Sequence, residues 1–162
     1  TTQSPTALFC EVDSDCAPLG GNYRCLSPYR YECFLAQPLR FTLTWQPDDV
    51  VHLSVTTPSP YYTTIDYLNT MDLYSSGKYY SFAPPGGGFG EYIEFLTDVP
   101  VGDYAVCITF ATVNGGETDA YSFTVEEGGT PTPGSYDRLA GESPSQLCFN
   151  SFYPYGNGYP YR

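Results

Sequence analysis

The stretch YAVCITFA, residues 104–111, alternates large apolar residues with small or polar ones. The larger side chains fall at every second position: Tyr104, Val106, Ile108 and Phe110. A period of two is typical of a β-strand with one buried and one solvent-facing side. The stretch therefore predicts an antiparallel strand that contributes one face to an apolar core.

The same alternation recurs on both sides of this stretch. It is present at 41–45, 51–56, 93–95 and 121–126, and turn-forming residues separate these segments. The part between Tyr62 and Ala83 is less regular and is expected to hold a strand pair with a long loop. About seven strands with frequent turns are typical of a β-sandwich. We therefore expect an all-β fold, an Ig-like antiparallel β-sandwich over residues 37–127.

The residues that flank this core differ from it in composition. Residues 1–36 carry four cysteines among turn-forming residues: Cys10, Cys16, Cys25 and Cys33. We expect a disulfide-stapled N-terminal segment. Zinc is disfavoured because the cysteines lack C-x2-C spacing and no histidine lies nearby. Residues 128–162 are expected to form a linker and an irregular Tyr/Pro-rich C-terminal tail.

The remaining two cysteines, Cys107 and Cys148, lie in the strand described above and in the tail. Cys107 falls on the small-residue face of its strand. A bond between the two within one chain would pin the tail across the outer face of the sheet. A bond between subunits would use the same two residues, and the sequence leaves both alternatives open.

The stretch CEVDSDCAPLGGNYRC, residues 10–25, resembles the small C-x-x-D-S-D-C modules of secreted proteins. The resemblance covers some two dozen residues. It implies that the first cysteine pairs with the third and the second with the fourth, which gives Cys10–Cys25 and Cys16–Cys33.

A second resemblance covers about residues 40–127. The order of TW, GGGFGEYIEF (86–95), PVGDYAVCITF (100–110) and YSFTVE (121–126) is similar to YfaP-like and pre-peptidase C-terminal-like β-sandwich domains of exported proteins. In those families a D-x-D strand and the glycine-rich segment often form a ligand or calcium edge. Here the two positions that are acidic in the D-x-D strand of those families are Val50 and His52. The resemblance therefore leaves Asp48, Asp49 and Glu91 as weak metal candidates. It implies no catalytic residue.

The stretch WQPDDVVHL, residues 45–53, holds the only tryptophan and the only histidine of the chain. The alternation places Trp45 in the core and His52 towards solvent, and Asp48 and Asp49 suit a turn. Glu91 and Glu94 could form a carboxylate pair of the kind that glycosidases use, but they are equally well solvated strand positions. Because no nucleophile, base and orienting group combine, no enzyme is expected.

The net charge of −12 limits the partners. It disfavours nucleic acid and anionic membranes, which require clustered Lys and Arg, and no stretch is apolar enough for membrane insertion.

Several aspartates near turns make calcium a possible cofactor. The cysteines favour an extracellular or cell-surface protein. A start at TTQSP without methionine suggests a mature product whose signal peptide has been removed, or a segment of a longer precursor. Thr/Ser-Pro stretches are typical of O-glycosylation sites.

These observations favour a non-enzymatic extracellular structural protein, a subunit of a surface filament, appendage or coat that binds other copies of itself through its terminal segments. The stretch TALFCEV (6–12) is a candidate donor strand. The alternative is a secreted carbohydrate-binding or cell-adhesion module, with calcium as a possible requirement and glycans as partners. Ten residues are candidates for the assembly or ligand surface: Leu8, Phe9, Tyr61, Tyr62, Phe149, Phe152, Tyr153, Tyr155, Tyr159 and Tyr161.

Overall fold

The computed structural model describes residues 8–45, 50–112, 121–132, 136–138 and 146–155. Within these residues the chain is mostly β, with a 3₁₀ helix at Asp13–Leu19 and twelve strands. In chain order the strands are β1 (Tyr23–Cys25), β2 (Cys33–Leu35), β3 (Leu39–Trp45), β4 (Val50–Thr56), β5 (Thr64–Ile65), β6 (Gly77–Phe82), β7 (Phe89–Phe95), β8 (Gly102–Thr112), β9 (Tyr121–Glu127), β10 (Thr130–Pro131), β11 (Tyr136–Arg138) and β12 (Gln146–Tyr153). The expectation of a mostly β, antiparallel protein is confirmed.

The chain divides into two compact units, one from Thr1–Gln37 with Pro154–Arg162 and one from Pro38–Tyr153. In the first unit, β1 and β2 pair antiparallel. Disulfides join Cys10 to Cys25 and Cys16 to Cys33, with Cα separations of 5.8 and 5.7 Å. This is the pairing that the resemblance to the small secreted modules implies. The four buried cysteines form the core of this unit.

Two aspartates of the D-S-D sequence hold the backbone around these disulfides. Asp15 accepts hydrogen bonds from the backbone N–H groups of Glu11 and Val12 at 2.9 and 3.1 Å. These two bonds lower the pKa of the Asp15 carboxyl from its ordinary value, because they favour the charged form. Asp13 accepts the N–H of Cys25 at 2.9 Å. The acidic residues of the motif therefore satisfy backbone donors in a segment with little regular structure.

The larger unit contains two antiparallel sheets. One has the order β10-β9-β3-β7-β6, with β11 also pairing with β9, and the other has the order β12-β8-β4-β5. The five segments that alternate in the sequence lie in β3, β4, β7, β8 and β9. Their apolar positions are buried, whereas the intervening positions are mostly half-exposed.

Aromatic rings from the two sheets meet in the core. Phe41 of β3 and Phe95 of β7 contact Tyr104 of β8, with ring centroids 5.7 and 5.3 Å apart. Phe123 of β9 contacts Phe149 of β12 at 5.1 Å. Such edge and tilted contacts add to the stabilisation from buried area. The alternation along each strand therefore supplies one continuous apolar core.

The C-terminal segment differs from the expectation. The tail is not irregular throughout, because Gln146–Tyr153 forms the eight-residue strand β12. It pairs with β8 along its whole length, from Gln146 opposite Thr109 to Tyr153 opposite Gly102. The segment buries its apolar side chains by joining the sheet at its edge rather than by crossing the outer face.

No helix in the described part of the chain has the length and apolar character to span a membrane.

Candidate functional site

The stretch around Trp45 gives a mixed outcome. Trp45 ends β3 and is 8% exposed, so the expectation that it belongs to the core is confirmed. His52 does not simply face solvent. Its ring is half-buried, stacks on Tyr67 with centroids 3.9 Å apart, and hydrogen-bonds to Glu91. Asp48 and Asp49 lie outside the described residues.

Glu91 is a buried carboxylate on the core side of β7. Its side chain is 3% exposed, and its cross-strand partner on β3 is the fully buried Leu43. The carboxylate accepts the backbone N–H of Leu53 at 2.9 Å and the Nδ1–H of His52 at 2.9 Å. Both donors belong to β4 of the other sheet. Glu91 therefore links the two sheets by charge-assisted hydrogen bonds.

The reason for this arrangement is the shortness of β5. That strand pairs with β4 only at Val55 and Thr56. At Leu53 none of the described strands pairs with β4 on that side, so the Leu53 N–H needs another acceptor, and the Glu91 carboxylate supplies it. The expectation that Glu91 is a solvated strand position is therefore wrong.

Tyr79 of β6 completes the cluster that consists of Glu91, His52, Tyr67 and Tyr79. Its hydroxyl is hydrogen-bonded to the Glu91 carboxylate. Burial and the negative charge of Glu91 raise the pKa of Tyr79 well above its ordinary value. The phenol therefore stays protonated and donates to Glu91 over the whole ordinary pH range.

The chemistry of this cluster is that of a satisfied hydrogen-bond network. Leu53, His52 and Tyr79 all donate hydrogen bonds to the Glu91 carboxylate. Among the described residues no serine, threonine or cysteine side chain is hydrogen-bonded to His52. Sequence reasoning missed the cluster, although a signal was present. Glu91 lies two and four positions before Ile93 and Phe95, and thus on the same strand face as these core residues.

Of the three weak metal candidates, the described structure contains Glu91. Glu91 is engaged by Leu53, His52 and Tyr79, and the two aspartates lie outside the described residues. Within the described ranges, the only His, Cys, Asp or Glu group close enough to share an ion is Cys10, Cys16 and Cys33, which are in disulfides. Calcium binding through Asp48 and Asp49 stays a prediction.

The Cys107–Cys148 disulfide lies within the chain, between directly opposite residues of β8 and β12. Their Cα atoms are 4.2 Å apart. In an antiparallel pair, such a close approach marks a non-hydrogen-bonded position, about 4.5 Å against about 5.5 Å for a hydrogen-bonded one. The N–H and C=O groups of Cys148 and Asn150 therefore point away from β8, towards the outer edge of the sheet.

The predicted C-terminal surface residues have different environments. Phe149 packs on Phe123, Phe152 and Tyr155 are half-buried, and Tyr153 is 1% exposed. Tyr159 and Tyr161 lie outside the described residues. The exposed side chains of β12 are instead Gln146, Cys148 and Asn150. The edge presented by β12 is therefore polar and backbone-lined rather than aromatic.

The N-terminal candidates are exposed. Leu8 and Phe9 are 37% and 66% exposed, and the Phe9 ring stacks on Tyr31 at 5.9 Å. Phe9 also pairs with Glu32 of its own unit in an isolated β-bridge. Residues 8–10 of the candidate donor strand therefore pair within the chain, although the side chains of Leu8 and Phe9 remain exposed.

Tyr61 and Tyr62 belong to a larger exposed set between residues 61 and 74. Tyr61 stacks on Tyr74 with centroids 5.5 Å apart. Asp66 and Asp72 hold this segment by accepting nearby backbone N–H groups. Seven large apolar side chains are exposed here: Tyr61, Tyr62, Tyr67, Leu68, Met71, Leu73 and Tyr74. Sequence reasoning missed the last five, because they follow no strand or helix period.

Comparison of the chain with known protein families, with curated proteins and with solved structures found no match.

Proposed function

We propose that this protein is a non-enzymatic extracellular structural protein, a subunit of a surface filament, appendage or coat that assembles through its terminal segments. The observation that carries the proposal is β12. The C-terminal segment forms an eight-residue strand at the edge of a sheet, cross-linked to its neighbour by a disulfide.

An edge of this kind favours association with another strand. Soluble proteins normally protect edge strands with lysine, proline, bulges or very short length. The sequence of β12, QLCFNSFY, contains no charged residue and no proline, and its pairing with β8 shows no register shift. The disulfide keeps the strand in the sheet, and among the described strands none pairs with its outer edge.

The N-terminal unit supplies a second surface. Phe9, Val12 and Tyr31 are more than half exposed in a unit that two disulfides hold rigid. Exposed apolar side chains that are fixed in place are typical of protein interaction sites. A subunit with one interaction surface near each end of its chain can bind two neighbours, which is the requirement for a filament or a coat.

Two finer structural features belong to the same proposal. The larger unit is an Ig-like β-sandwich, which is supported by the ring contacts between its two sheets. The protein is extracellular, which is supported by three disulfides that include all six cysteines. An oxidised, disulfide-stapled subunit suits an assembly outside the cell.

The test is light scattering and negative-stain microscopy of the non-reduced protein over a range of concentrations. Native protein is expected to form concentration-dependent assemblies. Phe9→Ser is expected to reduce their size, because it removes an exposed ring of the N-terminal unit. The matched control is Leu73→Ser, since Leu73 is 87% exposed but lies far from both termini in the sequence.

A native protein that stays monomeric at every concentration would overturn the assembly function. Equal loss of assembly in Phe9→Ser and Leu73→Ser would show that general stickiness, not the terminal segment, drives association. An assembled native protein with a selective effect of Phe9→Ser supports the proposal.

One observation favours the alternative, a carbohydrate-binding or adhesion module. The stacked pair Tyr61–Tyr74 with Tyr62 beside it presents aromatic faces on an ordered segment, and such faces can stack on sugar rings. A glycan array probed with native protein and with Tyr74→Ala tests it. Selective glycan binding that Tyr74→Ala abolishes, from a monomeric protein, would replace the assembly function.

A further inference from the structure

The outward backbone groups of β12 define what can bind to its edge. Cys148 occupies a non-hydrogen-bonded position opposite Cys107, so its N–H and C=O point to the outer edge, as do those of Asn150 two residues on. The same alternation of backbone direction holds in the neighbouring strands of this sheet. In β4 it directs the Leu53 N–H away from β8, and that N–H is donated to Glu91. Cys148 and Asn150 are both exposed. The edge therefore offers a donor and an acceptor at Cys148 and at Asn150.

A partner for these groups must present an extended strand of similar length. Within the described parts of the chain the other sheet edges do not fit. β5 and β10 have two residues each and β11 has three. The outer side of β6 is occupied from Gly77 to Tyr79 by hydrogen bonds to Thr70 and Asp72. The one long edge that remains is β12 itself.

We propose that two copies of the chain join β12 to β12 in antiparallel orientation about a two-fold axis. This inference rests on the proposed assembly function and names its first contact. The two four-stranded sheets would become one continuous eight-stranded sheet, with β12 of each copy at its centre. An isologous contact of this kind is the commonest form of homodimer.

The direction of the backbone groups also fixes the register. A two-fold antiparallel pair must place outward-pointing residues opposite outward-pointing residues. Two such registers overlap over seven residues, and the one that places Cys148 and Asn150 opposite each other pairs Cys148 with Asn150 of the second copy and Asn150 with its Cys148. Phe149 then lies opposite its own counterpart, on the axis. The side chains on this strand carry no charge, so the contact brings no like charges together in a chain of net charge −12.

The geometry has a consequence for assembly. A two-fold contact closes on itself, so β12 alone gives a dimer and no further growth. A filament would then be built from dimers, with the N-terminal unit as the surface for growth. Mutations in β12 are therefore expected to affect dimerisation, and mutations in the N-terminal unit are expected to affect growth beyond the dimer.

The test is the molar mass of the non-reduced protein, measured by size-exclusion chromatography with light scattering. Asn150→Pro removes one outward N–H without touching a β8–β12 hydrogen bond, and Asn150→Lys adds the protection that edge strands normally carry. Both are expected to weaken dimerisation by at least tenfold. Asn150→Thr keeps the N–H and is the matched control, expected to dimerise like the native chain. Circular dichroism checks that all three remain folded.

A distance measurement tests the partner strand. A nitroxide amino acid at the exposed Ala105 of β8 is separated from its counterpart by three strand spacings, roughly 15 Å, plus the offset along the strands. A single narrow distance of roughly 15–25 Å between labels is expected.

The outcomes are distinct. Dimers that persist in Asn150→Pro and Asn150→Lys, or labels far outside this range, would overturn the β12 contact while leaving assembly by another surface intact. If the native protein forms dimers that both variants lose, the β12 contact is supported. If those native dimers form no larger assembly at any concentration, the filament is overturned. A native monomer at all concentrations would overturn both.

Discussion

The Nδ1 atom of His52 lies 2.9 Å from Oε2 of Glu91, and the other oxygen of Glu91 accepts the N–H of Leu53, the next residue along β4. One carboxylate thus binds two successive residues of a strand in the opposite sheet. Hydrogen bonds to a buried charged group are among the stronger ones in proteins. This contact joins the two sheets where β5 has already ended.

Removal of the Glu91 side chain is therefore expected to be costly. Glu91→Ala leaves the Leu53 N–H and the Tyr79 hydroxyl without their acceptor and opens a small cavity, and a loss of about 3 kcal/mol in the free energy of unfolding is expected. Urea denaturation of the oxidised protein measures it. Glu94→Ala, three residues along the same strand on the other face, is expected to cost less than about 1 kcal/mol. Equal effects would contradict the inter-sheet role of Glu91.

Tyr79 makes stability depend on alkaline pH. Its pKa is raised in the folded protein and returns to about 10 on unfolding. The folded state therefore holds the phenolic proton more tightly, so this stabilisation is complete below about pH 10 and is lost as the pH rises towards the folded-state pKa. Urea midpoints between pH 9 and 11 are expected to fall more steeply for the native chain than for Tyr79→Phe.

The control for this pH effect is Tyr80→Phe, which removes a hydroxyl from the exposed side of the same strand. It is expected to keep the slope of the native chain. The same slope in the native chain and in Tyr79→Phe would show that folding does not raise the pKa of Tyr79. At neutral pH, Tyr79→Phe is expected to lose about 1 kcal/mol with its hydrogen bond to Glu91.

The sequence predicted the strands of the core because their signal is local. Alternation at 41–45 or 104–110 records which side of each strand is buried, and that information needs no knowledge of the neighbouring strand. The same parity placed Trp45 correctly. It also placed His52 on the half-exposed face, but it could not show that Glu91 of another sheet would reach around to that residue.

The C-terminal strand could not be predicted for a different reason. In QLCFNSFY the alternation of Leu147 and Phe149 breaks at Ser151 and Phe152, and the segment follows a Gly/Pro linker. What fixes it is the pairing with β8 across a long stretch of sequence and the bond to Cys107. Two cysteines in a sequence allow a bond but do not say whether the chain runs beside a strand or across a sheet.

That bond is expected to hold β12 in place. Replacing Cys107 and Cys148 together by serine removes a cross-link between residues 41 positions apart, and chain-entropy arguments give a loss of about 4 kcal/mol. Hydrogen exchange is expected to accelerate at the amides of Leu147 and Phe149, which point towards β8. Gln146→Ala removes only an exposed bond to Thr109 and serves as the control. Unchanged protection at both amides would show that strand pairing alone holds β12.

Gly77 at the start of β6 is expected to tolerate no larger residue. A Cβ atom there would lie 2.5 Å from the ring of Phe95 and would also overlap Ile65, and both of these side chains are fully buried. Because a packed core cannot yield without strain, Gly77→Ala is expected to lower the free energy of unfolding by about 2–3 kcal/mol. Gly86→Ala, where a Cβ meets nothing within 4 Å, is the matched control and is expected to change it by less than about 1 kcal/mol. Urea denaturation of the two variants compares them directly, and similar stabilities would mean that β5 and β7 move apart more readily than their packing indicates.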